Sequence, residues 1–189
     1  MGLRNDVNGW GWLARLLHWT IGIAIIGLLG LGFYTAEIVT DVFEQFALVQ
    51  IHKSWGFVVF VLALVRIVWR FANPTPPLPD TMSGLERLAA HGGHVALYVL
   101  MIAMPVSGWL MSSASELQEL YGVKNMVFGL FEMPDPFVPG DGELEKLFSS
   151  IHSWCGALLA LVLVGHVGAA LKHHFVEKDN VLRRMITGR

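Results

Sequence analysis

Charge is what this chain lacks most. Of its 189 residues only 15% are Asp, Glu, Lys or Arg, against about 25% in an ordinary globular chain. Cysteine is nearly absent as well. The single Cys155 cannot close an intrachain disulfide, and without a CxxC or CxxCH motif both thiolate metal clusters and covalent haem attachment are excluded. A net charge of −2 lacks the basic excess that a nucleic-acid binder carries, so no nucleic-acid partner is expected. What the chain has instead is apolar bulk and histidine. Hydrophobic residues make up 54%, with 20 glycines, seven tryptophans and eight histidines, and the mean hydropathy is +0.55.

Four apolar stretches reach the roughly 20 residues that a bilayer core demands, at about 12–34, 51–71, 91–112 and 151–171. The first is read as a span and not a cleaved signal peptide. It is too long, holds Arg15 and His18, and no small-x-small site follows it cleanly. Lipid offers no hydrogen bonds to a bare backbone, so such spans must be helices. The expected fold is all-α, an integral membrane four-helix bundle forming a single domain over 1–189. Ten of the thirteen basic residues, among them Arg66, Arg70, Arg183, Arg184 and Arg189, fall on the side that holds both termini and the second connection. The opposite side holds ten of the fifteen acids. By the positive-inside rule both termini are expected to be cytoplasmic. The connection at about 113–150 is long for a structureless loop. Its apolar middle, Tyr121 to Phe131, predicts a short surface helix lidding whatever the bundle holds.

Ligand-capable residues inside a span are costly and point to function. His152 and His166 lie 14 residues apart, which at about 100° per residue returns them to one helix face, about 21 Å apart along the axis. His18 lies early in the first span and His52 opens the second, so depth pairs His18 with His166 and His52 with His152. Two imidazoles from two helices at one depth suit axial coordination of a flat macrocycle. A metal-ion transporter would instead bring three or four ligands to one point. Four residues after these histidines stand Gly22, Gly56, Gly156 and Ala170, small enough for a ring to press on the helix. After His91 and His94 the same step gives Val95 and Tyr98, so those two are read as structural or interfacial, with a propionate or quinone contact as the alternative. Arg66 returns to the face of His52 14 residues later, where it could neutralise a haem propionate or snorkel to the surface. His173, seven after His166, is a candidate quinone or propionate contact.

As a set, Leu17-His-Trp19, Asn73-Pro-Thr-Pro-Pro77, His91-Gly-Gly-His94, Phe128-Gly-Leu130, Ile151-His-Ser-Trp154, Gly165-His166 and His173-His174 resemble the prokaryotic cytochrome b561 family. The resemblance runs through nearly the whole chain in order. It implies two haems b, with their irons held by His18, His52, His152 and His166. It also implies a multi-pass protein of the bacterial inner membrane relaying single electrons between the ubiquinone pool and a one-electron partner on the outer side. One family activity is a superoxide:ubiquinone oxidoreductase. Related cytochromes serve instead as anchor subunits of larger respiratory dehydrogenase or hydrogenase complexes. Expected partners are therefore membrane lipid, quinone and either superoxide or a soluble redox protein, with a homodimer as an option. The outer connection carries seven acids and only Lys124 and Lys146, which does not make the positive field that would gather a superoxide anion.

Overall fold

The computed structural model describes residues 2–7 and 9–188; Arg189, counted above among the basic residues, lies outside them. Four long helices carry the fold: α1 (Trp12–Glu37), α2 (Val42–Phe71), α3 (Gly84–Ala114) and, after a short α4 (Glu116–Tyr121), α5 (Gly142–Lys172). All four are long and apolar enough to cross a membrane. Three begin well before their apolar runs because polar residues cap them. Asp41 accepts from the Glu44 amide at 2.8 Å, Ser83 and Glu86 form a reciprocal capping box, and Asp141 accepts from the amides of Glu143 and Leu144. Each cap satisfies amides that the first turn leaves unpaired.

The helices pack α1 on α2, α2 on α3 and α3 on α5. The buried core is thin, and large side chains point outward: Leu161 and Val164 of α5 are 68% and 71% exposed. An apolar exterior around a small core is stable only where lipid replaces water. The protein is thus an all-α, multi-pass membrane bundle. Both chain ends meet at one end of it, called the terminal end below. There the Trp19 indole donates to the Met185 carbonyl at 3.0 Å and Arg15 to the Ile186 carbonyl at 3.2 Å. After α5 the chain makes a π-helical turn (His173–Glu177) and a last helix, α6 (Val181–Thr187).

At the other, loop end, the stretch from Tyr121 to Phe131 is not the surface helix its composition predicts. Helix α4 stops at Gly122, whose φ is +64°. The chain then forms a two-stranded hairpin, β1 (Met126–Val127) against β2 (Phe131–Glu132). The turn between them puts Phe128 at φ +50° and Gly129 at +70°, left-handed values that end a right-handed helix. Those two positions, together with Gly122, decide against a helix. The hairpin lies on α2: the Phe128 amide donates to Ser54 Oγ at 2.9 Å, and Phe128 and Phe131 set their rings on Trp55 and Phe57. Lys124 Nζ sits 2.6 Å from Glu132 Oε2, and that carboxylate raises the pKa of the exposed ammonium.

Candidate functional site: two histidine layers

A spacing of 14 residues organises all four long helices. It joins His18 to Gly32 on α1, His52 to Arg66 on α2, His94 to Gly108 on α3 and His152 to His166 on α5. Fourteen residues are close to four full turns, so each pair shares a helix face. The midpoints are Ile25, Val59, Met101 and Leu159, all buried. These four apolar side chains form a central floor. It separates a terminal-end layer of His18, Arg66, His94 and His166 from a loop-end layer of Gly32, His52, Gly108 and His152.

The histidines that depth alone pairs do meet. Ring centres lie 6.0 Å apart for His18 and His166 and 6.3 Å apart for His52 and His152. At the loop end the bundle holds a partly open cavity of about 780 Å³ lined by His52, His152, Gly32, Gly56, Gly108 and Gly156 among mostly apolar residues. His152 is held from behind: its Nδ1 lies 3.0 Å from the Met104 carbonyl and 3.1 Å from Ser107 Oγ. An Nδ1–H donated to that carbonyl leaves Nε2 as the free electron pair. His52 Nδ1 is buried without a partner.

The glycines do two different jobs. A Cβ on Gly32 would stand 3.2 Å from His52 Cε1, and one on Gly108 would stand 3.0 Å from His152 Cε1. These two glycines let the imidazoles lie flush against the neighbouring helices. A Cβ on Gly56 meets no protein atom within 4 Å, so it faces the cavity space. Sequence reasoning found Gly56 and Gly156 by their step of four from a histidine and missed Gly32 and Gly108. The step of 14, applied to His18 and His94, would have found both.

The terminal-end layer is built otherwise. Arg66 Nη2 lies 3.0 Å from His18 Nδ1, and its Nη1 reaches the Ala14 carbonyl at 3.5 Å. The guanidinium also sits over the Tyr98 ring, 5.9 Å from its centre. His94 belongs to this layer, its ring 5.6 Å from that of His166. His91 turns to its own helix, Nδ1 2.7 Å from the Arg87 carbonyl. His173 is buried between two carboxylates, with Nδ1 2.6 Å from both Glu177 Oε2 and Asp179 Oδ2.

Comparison with known proteins gives this arrangement its context. The family described as prokaryotic cytochrome b561 matches residues 9–188. The chain belongs to the prokaryotic cytochrome b561 family. It is 32% identical over 187 residues to cytochrome b561 homolog 2 of Escherichia coli (strain K12), covering 98% of this chain and 95% of that one. It is 29% identical over 140 residues to cytochrome b561 homolog 1 of the same organism, covering 74% and 75%. A protein of Yersinia pestis named "Probable superoxide oxidase CybB" is 34% identical over 139 residues, covering 72% and 73%. Membrane electron transfer and haem b are properties of this family.

The residues present fit such a group. Two imidazoles that share an iron from opposite faces have ring centres about 6–6.5 Å apart, from a metal–nitrogen bond of about 2 Å and a ring radius of about 1.2 Å. Both pairs lie at that separation. The backbone bond behind His152 is the support that metal-bound histidines generally have. The loop-end cavity supplies a glycine-walled, apolar slot within the usual range of cofactor pockets, about 300–1,000 Å³.

Proposed function

We propose that this protein is an inner-membrane dihaem cytochrome, with His52 and His152 holding one haem b at the loop end and His18 and His166 holding a second at the terminal end. The observation that carries the reading is the two imidazole pairs at 6.3 and 6.0 Å, one on each side of an apolar floor. Haem iron held by two histidines would supply one-electron transfer and leave no position for O₂ chemistry. The chain's own part is to hold four imidazoles in place, exclude water with the Ile25, Val59, Met101 and Leu159 layer, and present charge at the edges.

At the terminal end Arg66 donates to His18 Nδ1, since a guanidinium has N–H donors and no lone pair with which to accept. Ligation through His18 Nε2 therefore requires Arg66 to release that nitrogen. The freed guanidinium can then pair with a haem propionate or a quinone oxygen, the role proposed for it here. His173, with its carboxylate pair, is proposed as a proton-carrying contact for a quinone at the same end. The excess of basic residues at the terminal end supports placing it in the cytoplasm. Electrons would then pass between ubiquinone on that side and a one-electron donor or acceptor on the loop-end side. The named Yersinia pestis relative supports superoxide as that donor.

The test is haem per chain by pyridine haemochrome on protein purified in detergent, with a dithionite-reduced spectrum. Two haems b, one lost on His52→Ala and the other on His18→Ala, are expected. A haem-free chain would overturn the site and the function together. Quinone reduction by the isolated protein distinguishes an oxidoreductase from an anchor subunit, which would co-purify with soluble partners and stay inactive alone.

A further inference from the structure

The loop-end layer carries no charge of its own: where the terminal-end layer has Arg66 and His94, it has Gly32 and Gly108. Among the described residues, the one cation lining the loop-end cavity is Lys53, next along α2 from His52, with the carboxylates of Glu37 and Glu145 also on the wall. Its position is fixed by other elements. Nζ donates to Ser112 Oγ on α3 and to Asn125 Oδ1 on the connection, both at 3.1 Å. Asn125 is 5% exposed and uses its other side-chain atom to donate to Asp135 Oδ1 at 2.6 Å and to Ser113 Oγ at 3.4 Å. Gln118 grips the second oxygen of Asp135. The backbone of Asn125 closes the hairpin as well, its carbonyl accepting from the Met133 amide at 2.8 Å. Docking the hairpin and fixing the ammonium are therefore one event.

We propose that Lys53 sets the redox equilibrium of the group held by His52 and His152, and that Asn125 and Asp135 are positioning residues acting through it. The proposal rests on the dihaem reading above. A half-buried cation lining the cavity favours the iron state carrying one more electron. The Asp135 carboxylate, one hydrogen bond further out and absent from the cavity wall, opposes it. The two charges on one chain of hydrogen bonds thus act with opposite sign. Loosened packing has no reason to produce that. At an effective dielectric of about 20, removing a unit charge roughly 12 Å away moves a one-electron equilibrium on the order of tenfold, or about 59 mV.

The experiment is spectroelectrochemistry of the purified, haem-loaded protein and of Lys53→Met, Lys53→Arg and Asp135→Asn, with haem per chain measured first. Lys53→Met is expected to weaken electron binding by one haem about tenfold and leave the other unchanged. Lys53→Arg should stay close to the parent, and Asp135→Asn should shift the same haem by a smaller factor in the opposite direction. Equal potentials in parent and Lys53→Met at full haem content would overturn the proposal. So would shifts of Lys53→Met and Asp135→Asn in one direction. If Lys53→Met does not accumulate, Asp135→Asn decides: a rise in potential supports the proposal, and no change or a fall refutes it. Absence of haem from the parent protein would refute the dihaem reading instead.

Discussion

Gly56 and Gly30 offer a matched test of what fills the loop-end cavity. Both lie inside long helices, and a Cβ on either would meet no protein atom within 4 Å. Only Gly56 lines the cavity shared by His52 and His152. Replacing each with leucine brings the same gain in helix propensity, about 1 kcal/mol relative to glycine, so the folded chain itself does not distinguish them. In Gly30→Leu the new side chain enters open surroundings. In Gly56→Leu four carbons enter the slot assigned to a macrocycle, and overpacking of a filled site costs about 1–3 kcal/mol. That corresponds to roughly 5- to 150-fold weaker retention of the cofactor. The assay is haem per chain after a fixed period of dialysis against apomyoglobin, with thermal melting in detergent as the measure of the chain. Gly30→Leu should keep both haems, and Gly56→Leu should lose the loop-end one while melting normally without it. Equal retention in the two variants would refute the reasoning, because nothing would then be pressed against the α2 wall.

Other sites carry sharp expectations. Gly108→Ala puts a methyl 3.0 Å from His152 Cε1 and should push the imidazole off the Met104 carbonyl. Losing such a hydrogen bond costs about 0.5–1.5 kcal/mol, and the low-temperature EPR signal of one haem should change while the other holds. Gly11→Ala would drive a Cβ to 2.4 Å from the Leu3 carbonyl oxygen and 2.5 Å from the Arg4 carbonyl carbon. Backbone cannot yield as a side chain can, so a loss of about 1–3 kcal/mol of stability, read as a lower melting point, is predicted; an unchanged melt would contradict the packing of the N-terminal turn. Asp179→Ala leaves buried His173 with Glu177 alone. Loss of a charge-assisted bond worth about 1.5–3 kcal/mol should speed proteolysis of the tail beyond Lys172, and wild-type cleavage kinetics would argue that the bond holds nothing.

The fold class was legible because lipid imposes two requirements that sequence displays directly. Spans must be about 20 residues of apolar side chain, and polar ligands inside them are too costly to be incidental. The pairing of His18 with His166 and His52 with His152 followed from depth alone, since the rise per helical residue is fixed. Helix starts were not read: they lie at the caps Asp41, the Ser83–Glu86 box and Asp141, ahead of the apolar runs. Apolar runs mark the lipid-crossing part of a helix and not its capped ends, so spans drawn from hydropathy begin late. The segment from Tyr121 to Phe131 misled because its apolar content is that of a surface helix, while its path was decided by left-handed backbone at Gly122, Phe128 and Gly129.

The sequence by itself determined four membrane helices, two histidine levels and the family. Only the tertiary structure decided what surrounds each histidine pair, because neighbours on other helices depend on rotation and register between helices. Thus Gly32 and Gly108 open the loop-end layer, and Arg66 and His94 fill the terminal-end one. Likewise Lys53, one of three lysines on an acidic side, is the one cation among the described residues that lines the loop-end cavity, and Asn125, 72 residues away, holds its ammonium.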